Sequence, residues 1–171
     1  LAKGLSGGYL PMASTLTTQN VFDAFLGDYS EFKTFFHGHS YTGNQLGSAA
    51  SLASVGLLQT KATTTNRKKL ANNLKSESKR LWALPEVGDI RQAGCVLAVE
   101  LVRNWQNREP FTLAEQAGIR VCNALAKRGV LTRPIGNVIV IMPPFCTTQR
   151  HVKKIFSALH DSIEEVLTRN M

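Results

Sequence analysis

From Thr63 onward the spacing of the apolar residues keeps changing, and that pattern constrains the fold more than any other feature of the chain. Leu70, Leu74 and Leu81 recur at helical spacing through 63–82, opposite a polar face of Arg67, Lys68, Lys75, Glu77 and Lys79. Pro85 closes that helix. Strands follow at 87–91 and 95–102, separated by Gln92-Ala93-Gly94. Helical spacing returns over 113–128, with Gly129 just past its end, where a left-handed residue commonly stops a helix. Residues 130–133 and 138–142 read as short strands around Pro134-Ile135-Gly136-Asn137, and Thr147 or Thr148 caps a final helix to about Leu167. Helix, strand, strand, helix, strand, strand, helix predicts a compact α+β unit with helices on one face of a small sheet.

The first sixty residues read differently. Residues 9–17, β-branched and aromatic with a proline near one end, predict a strand. Thr18-Gln19-Asn20 offers caps for a short helix through Leu26, and 27–36 is irregular and aromatic-rich. Residues 45–58, with small side chains at Gly47, Ala49, Ala50, Ala53 and Gly56, predict a helix packed closely on other elements. The expected domains are therefore 1–60 and 61–171. A chain of 171 residues can bury a core. No apolar run approaches the roughly 18 residues needed to span a bilayer, so no membrane partner is expected. Leu1 is not an initiator and the chain opens inside a turn, which predicts a piece of a longer protein.

A net charge of +8 and a pI near 9.7 raise the possibility of nucleic acid as a partner. The basic residues concentrate in 61–80, 120–133 and 150–154, on or beside amphipathic helices, without aromatic interleaving or zinc-finger spacing. A solvated basic surface, and no nucleic-acid partner, is the expectation. Cys95, Cys122 and Cys146 lie far apart with no CxxC pair, which argues against a metal site and for buried, reduced thiols in a cytoplasmic protein.

Three segments carry chemistry. In Leu1-Ala2-Lys3-Gly4-Leu5-Ser6-Gly7-Gly8 a lysine sits against a glycine-rich turn. Buried there, it would lose the solvation that favours its ammonium form and could act as a neutral amine toward a carbonyl; a solvated lysine in a flexible tail is the alternative. The loop His37-Gly38-His39-Ser40-Tyr41-Thr42-Gly43-Asn44 precedes a long helix, a suitable place for a phosphate, or simply a capped helix start. His37 and His39 have poor metal spacing. Arg133, stiffened by Pro134, could grip a carboxylate with both guanidinium nitrogens, or lie on the surface. Glu100, in an apolar strand, reads as structural. Serine-hydrolase, Walker, Rossmann and HExxH motifs are absent from the sequence.

Taken together, Ala2-Lys3-Gly4-Leu5-Ser6-Gly7-Gly8-Tyr9-Leu10-Pro11, the 37–45 loop and Thr132-Arg133-Pro134-Ile135-Gly136-Asn137 occur in an order and spacing that resembles the class III pyridoxal-phosphate aminotransferases, in particular those of biotin synthesis. The resemblance covers essentially the whole chain. It implies an α/β architecture, the C-terminal part of a fold-type I pyridoxal-phosphate transferase. On this reading 1–60 ends the large cofactor domain and 61–171 forms the small α+β domain. It implies that Lys3 holds pyridoxal phosphate and shuttles a proton. His39 and Ser40 would reach the phosphate of a partner's cofactor across a homodimer interface; Ser40 stands where relatives often carry threonine, and keeps the hydroxyl. Gly38 would offer its backbone to 8-amino-7-oxononanoate, and Arg133 would bind that substrate's carboxylate. The implied reaction moves an amino group from S-adenosylmethionine, or from lysine, to 8-amino-7-oxononanoate by a ping-pong mechanism. The alternatives are another class III ω-amino-acid aminotransferase and a truncated module that only dimerises. In this family the aspartate for the pyridine nitrogen, the ring-stacking aromatic residue and the first phosphate loop all precede the lysine, so the chain alone is expected to be inactive.

Overall fold

The computed structural model describes residues 1–168 and divides into two compact units, Leu1–Lys61 and Ala62–Met171. In the first, a short 3-10 turn, Lys3–Ser6, ends at Gly7, whose φ of 65° no side chain opposes. Helix α1 spans Gln19–Asp23 after Thr18, and α2 spans Gln45–Gln59. Asn44 caps α2, its Oδ1 accepting from the Gly47 amide at 2.7 Å, so the capped start is what the loop forms. Small residues let the 3-10 turn lie against α2: Gly47 and Ser51 are buried, and the Ser54 hydroxyl donates to the Gly4 carbonyl at 3.1 Å.

Two expectations for this unit fail. The 9–17 segment forms no strand, because a ladder needs a partner and no strand is found in this unit among the described residues. Its tie is local: the N-terminal amine of Leu1 and the amide of Ser14 exchange bonds with each other's carbonyls at 2.6 and 2.8 Å. Helix α2 is not closely packed all round; Leu52 and Leu57 are exposed, since the unit supplies little beyond the 3-10 turn to cover them. Phe22, Phe25, Phe32, Phe35 and Phe36 are also exposed, although Phe25 and Phe35 pack ring to ring at 5.0 Å.

The second unit follows the sequence pattern closely. Helix α3 (Lys61–Ser78) continues into a 3-10 turn, Lys79–Ala83. Strand β1 (Val87–Ala93) turns at Gly94-Cys95 into β2 (Val96–Asn104), and a two-residue β3 (Glu109–Pro110) pairs with the end of β2. Helix α4 (Ala117–Lys127), the hairpin β4 (Pro134–Ile135) and β5 (Val138–Ile141), and α5 (Gln149–Ile163) complete it. The antiparallel sheet runs β1-β2-β5-β4. Alternation sends Leu97, Val99 and Leu101 of β2 and Ile139 and Ile141 of β5 into one core with Leu70, Leu74, Val121, Leu125, Phe156, Leu159 and Ile163. Glu100 lies on the other face and pairs with Arg91, the structural role expected of it.

Departures here have local causes. Residues 130–133 are not a strand. Gly136, at φ 57°, takes the first central position of a two-residue turn, so the ladder uses Pro134 and Ile135 opposite Ile139 and Val138. The predicted 113–128 helix breaks at Gln116, which adopts φ 51° after a 3-10 turn, Leu113–Glu115. Thr112 and Glu115 form a reciprocal cap, with Glu115 Oε2 accepting from both the amide and the hydroxyl of Thr112 at 2.9 Å. Of the cysteines only Cys122 is buried, and burial pushes its thiol up to about 11; Cys95 is half-buried and Cys146 exposed, against the expectation that all three lie inside. Among the described residues no group of His, Cys, Asp and Glu could hold a metal, and no helix is long and apolar enough to cross a membrane.

The Glu115 cap has a consequence at low pH. The Thr112 amide, then the Arg103 guanidinium, then the Thr112 hydroxyl hold its carboxyl down to about 2. A depressed carboxyl contributes stability that is present above the ordinary value near ~4.3 and is lost as pH falls toward the folded value. The stability difference between the parent and Glu115→Gln is therefore expected to shrink steadily below about pH 4, as read from urea unfolding midpoints. A difference independent of pH down to 2 contradicts the cap.

Candidate active site

Lys3 opens the 3-10 turn with φ 53°, in the left-handed region that residues with a side chain rarely adopt. Such a conformation costs on the order of 1 kcal/mol or more and is concentrated at functional positions. The turn holds it there: the Leu5 amide donates to the Ala2 carbonyl at 3.1 Å and the Gly7 amide to the Gly4 carbonyl at 3.0 Å. Of the two possibilities the sequence left open, the structure shows a solvated Lys3 and not one buried among the glycines. The residue is exposed, and its amine forms no ion pair among the described residues. An amine that must bond to an aldehyde needs that freedom from a competing carboxylate, so the residue fits pyridoxal phosphate.

Gly38 and His39 line a depression of about 790 Å³ with the 10–15 segment, Tyr41 and Thr42. The loop is stiffened from within. The His39 amide donates to Thr42 Oγ1 at 3.0 Å, the Tyr41 amide to His39 Nδ1 at 3.1 Å, and the Thr42 amide to the His39 carbonyl at 2.9 Å. The side chains that bond the loop's own backbone are those of His39 and Thr42, and in the sequence their signal is only that they are polar groups of a short loop. Ser40, at the exposed tip, does not line the depression, and its hydroxyl makes no hydrogen bond among the described residues. Lys3 does not line it either.

Arg133 belongs to the second unit and lies on a segment held at several points. The Thr132 hydroxyl donates to the Val140 carbonyl, Pro134 pairs with Ile139, and Asn137 Nδ2 donates to the Phe111 carbonyl at 2.6 Å. Gly118 of α4 admits the turn: a Cβ there would overlap the Gly136 carbonyl oxygen and stand 2.8 Å from Pro134 Cβ. The exposed Arg133 lines an apolar cavity of about 630 Å³ with Leu131, Met142, Pro143, Pro144 and His151. A guanidinium at the edge of an apolar trough suits a carboxylate on an aliphatic chain. The apolar wall was not legible in the sequence, because Met142 and His151 join it from separate elements.

Helices on an antiparallel sheet, preceded by a lysine-bearing turn, recur in solved transaminases. The structure of adenosylmethionine-8-amino-7-oxononanoate aminotransferase from Methanocaldococcus jannaschii superposes with a TM-score of 0.89 at 39% identity, over 96% of this chain and 38% of that one. A transaminase from the marine bacterium Virgibacillus gives 0.86 at 27% identity, over 99% of this chain and 39% of that one. The chain belongs to the class-III aminotransferase family, whose profile matches residues 1–163. Among its relatives, the adenosylmethionine-8-amino-7-oxononanoate aminotransferase of Geobacter sulfurreducens is 46% identical over 166 residues, 97% of this chain and 37% of that protein. The Anoxybacillus flavithermus protein of the same name is 43% identical over 96% of this chain and 36% of its own length. The chain thus spans little more than a third of the relatives it matches.

Proposed function

We propose that the chain supplies the lysine and the substrate-carboxylate clamp of a pyridoxal-phosphate aminotransferase that converts 8-amino-7-oxononanoate to 7,8-diaminononanoate, with S-adenosylmethionine as amino donor. The observation that carries this is Lys3, strained at φ 53° with a free, exposed amine at the head of a glycine-closed turn. When bound, the cofactor supplies an electron sink for the bond broken at the substrate carbon. Lys3 would hold the cofactor through Nζ, and its amine would carry the proton taken from the substrate Cα. Ser40 and His39, exposed on the loop, reach the phosphate held by a second copy, and the exposed phenylalanines of the first unit suit that homodimer contact. Gly38 presents its backbone to the oxononanoate, whose carboxylate Arg133 receives. On this reading 1–60 ends the cofactor domain and 61–171 is the small domain. The enzyme works in the cytoplasm, where Cys95, Cys122 and Cys146 stay as free thiols.

The relatives' length implies that this stretch acts with a further segment. The purified chain with pyridoxal phosphate, S-adenosylmethionine and 8-amino-7-oxononanoate is expected to form no 7,8-diaminononanoate by mass spectrometry, whereas a protein of the relatives' full length containing it turns over. Turnover by the chain alone sinks this reading, as does a completed protein that prefers another keto acid.

A further inference from the structure

We propose that a groove in the second unit, between the end of α3 and the outer edge of β1, binds a planar aromatic anion of the nucleoside monophosphate kind. This site is independent of Lys3 and Arg133. Trp82 lines it, and the 3-10 turn after α3 leaves this residue 53% exposed. A large indole face held in water is a stacking platform for any flat ring. Beside it, Lys75 and Lys79 stand four residues apart, so their side chains lie on the same flank of the helix. Both are exposed, and neither is ion-paired among the described residues; the nearest helical ion pair joins Arg80 to Glu77 instead.

The groove is shaped as well as charged. It encloses about 530 Å³, within the range of small-molecule sites, and no acidic residue lines it. Its far wall is fixed, because the Gln92 side-chain amide donates to the Ala71 and Gly94 carbonyls, each at 2.8 Å. Half-buried Ile90 and exposed Asn72 also line it, and the Asn72 amide can meet the polar edge of a ring. An apolar ligand would leave both ammonium groups unused, and a bare anion would leave the indole unused. A ring carrying a phosphate satisfies all three at once.

The chain has two tryptophans, so Trp105→Phe leaves Trp82 as the sole indole reporter. Titrating this variant with adenosine 5′-monophosphate at low ionic strength is expected to quench its fluorescence saturably. Adenosine and inorganic phosphate should each bind at least tenfold more weakly. In the same background, Lys75→Gln with Lys79→Gln should raise the Kd at least tenfold while leaving the far-ultraviolet circular dichroism unchanged. Calorimetric titration of the unsubstituted chain gives the same ordering without relying on any variant. The proposal is overturned if adenosine binds as well as the nucleotide, if the lysine substitutions leave the Kd unchanged, or if millimolar nucleotide gives no saturable signal.

Discussion

Lys3→Ala, made in a protein of the relatives' full length, is expected to lower amino transfer by ~10⁴-fold or more while leaving stability within about 0.5 kcal/mol of the parent. The rate loss is large because one side chain has two roles. On the proposed reading its amine would hold the cofactor and would also move the substrate Cα proton, and a positioned proton carrier alone contributes roughly 10²–10⁴-fold. The stability effect is small because Lys3 is exposed, outside the core and free of ion pairs among the described residues. The backbone strain at φ 53° is shared by alanine, so it cancels from the comparison. Lys3→Arg keeps the charge and removes the nucleophile; it should be as inactive as alanine. Steady-state rates beside thermal unfolding curves make the test, and a residual rate within tenfold of the parent removes Lys3 from the chemistry.

Arg133→Ala should raise the KM for 8-amino-7-oxononanoate by about 10–100-fold with little change in kcat, the loss of a charged hydrogen bond worth roughly 1.5–3 kcal/mol. The segment is tied by Thr132 to Val140 and by Pro134 to Ile139, so the guanidinium is presented on a stiff support and its removal leaves the hairpin standing. Arg133→Lys should fall between, because a single ammonium cannot match both carboxylate oxygens. The methyl ester of the substrate offers a control: it has no carboxylate to lose, so the substitution should hardly change its KM. Acid and ester losing equally would mean that Arg133 acts through the fold and does not touch the carboxylate.

How much of this was readable before any coordinates depends on how local each determinant is. The helices and strands of 61–171 were legible because Leu70, Leu74 and Leu81, or the alternation through Leu97, Val99 and Leu101, repeat within a single element. The small refinements were local too, but they turned on backbone conformations that residue type does not announce, as at Gln116 with φ 51° and Lys3 with φ 53°. The 9–17 segment misled because strand composition is necessary for a strand and a partner is also required. For Lys3 the sequence left burial and solvation both open for the same reason: glycines permit burial, but burial is supplied by whatever packs against them.

The candidate site divides along this line. Lys3, the 37–45 loop and Arg133 could be named from the sequence, since a lysine beside glycines, a polar loop before a helix and an arginine before proline are properties of consecutive residues. Only the tertiary structure decided that Ser40 stands apart from the depression lined by Gly38 and His39, that Arg133 opens onto Met142 and His151, and that Trp82 is left uncovered in a groove it shares with Lys75 and Lys79. Those are matters of which distant residues meet and which surface stays wet. They are settled by the free energy of burying the whole core, a quantity that no single stretch of chain contains.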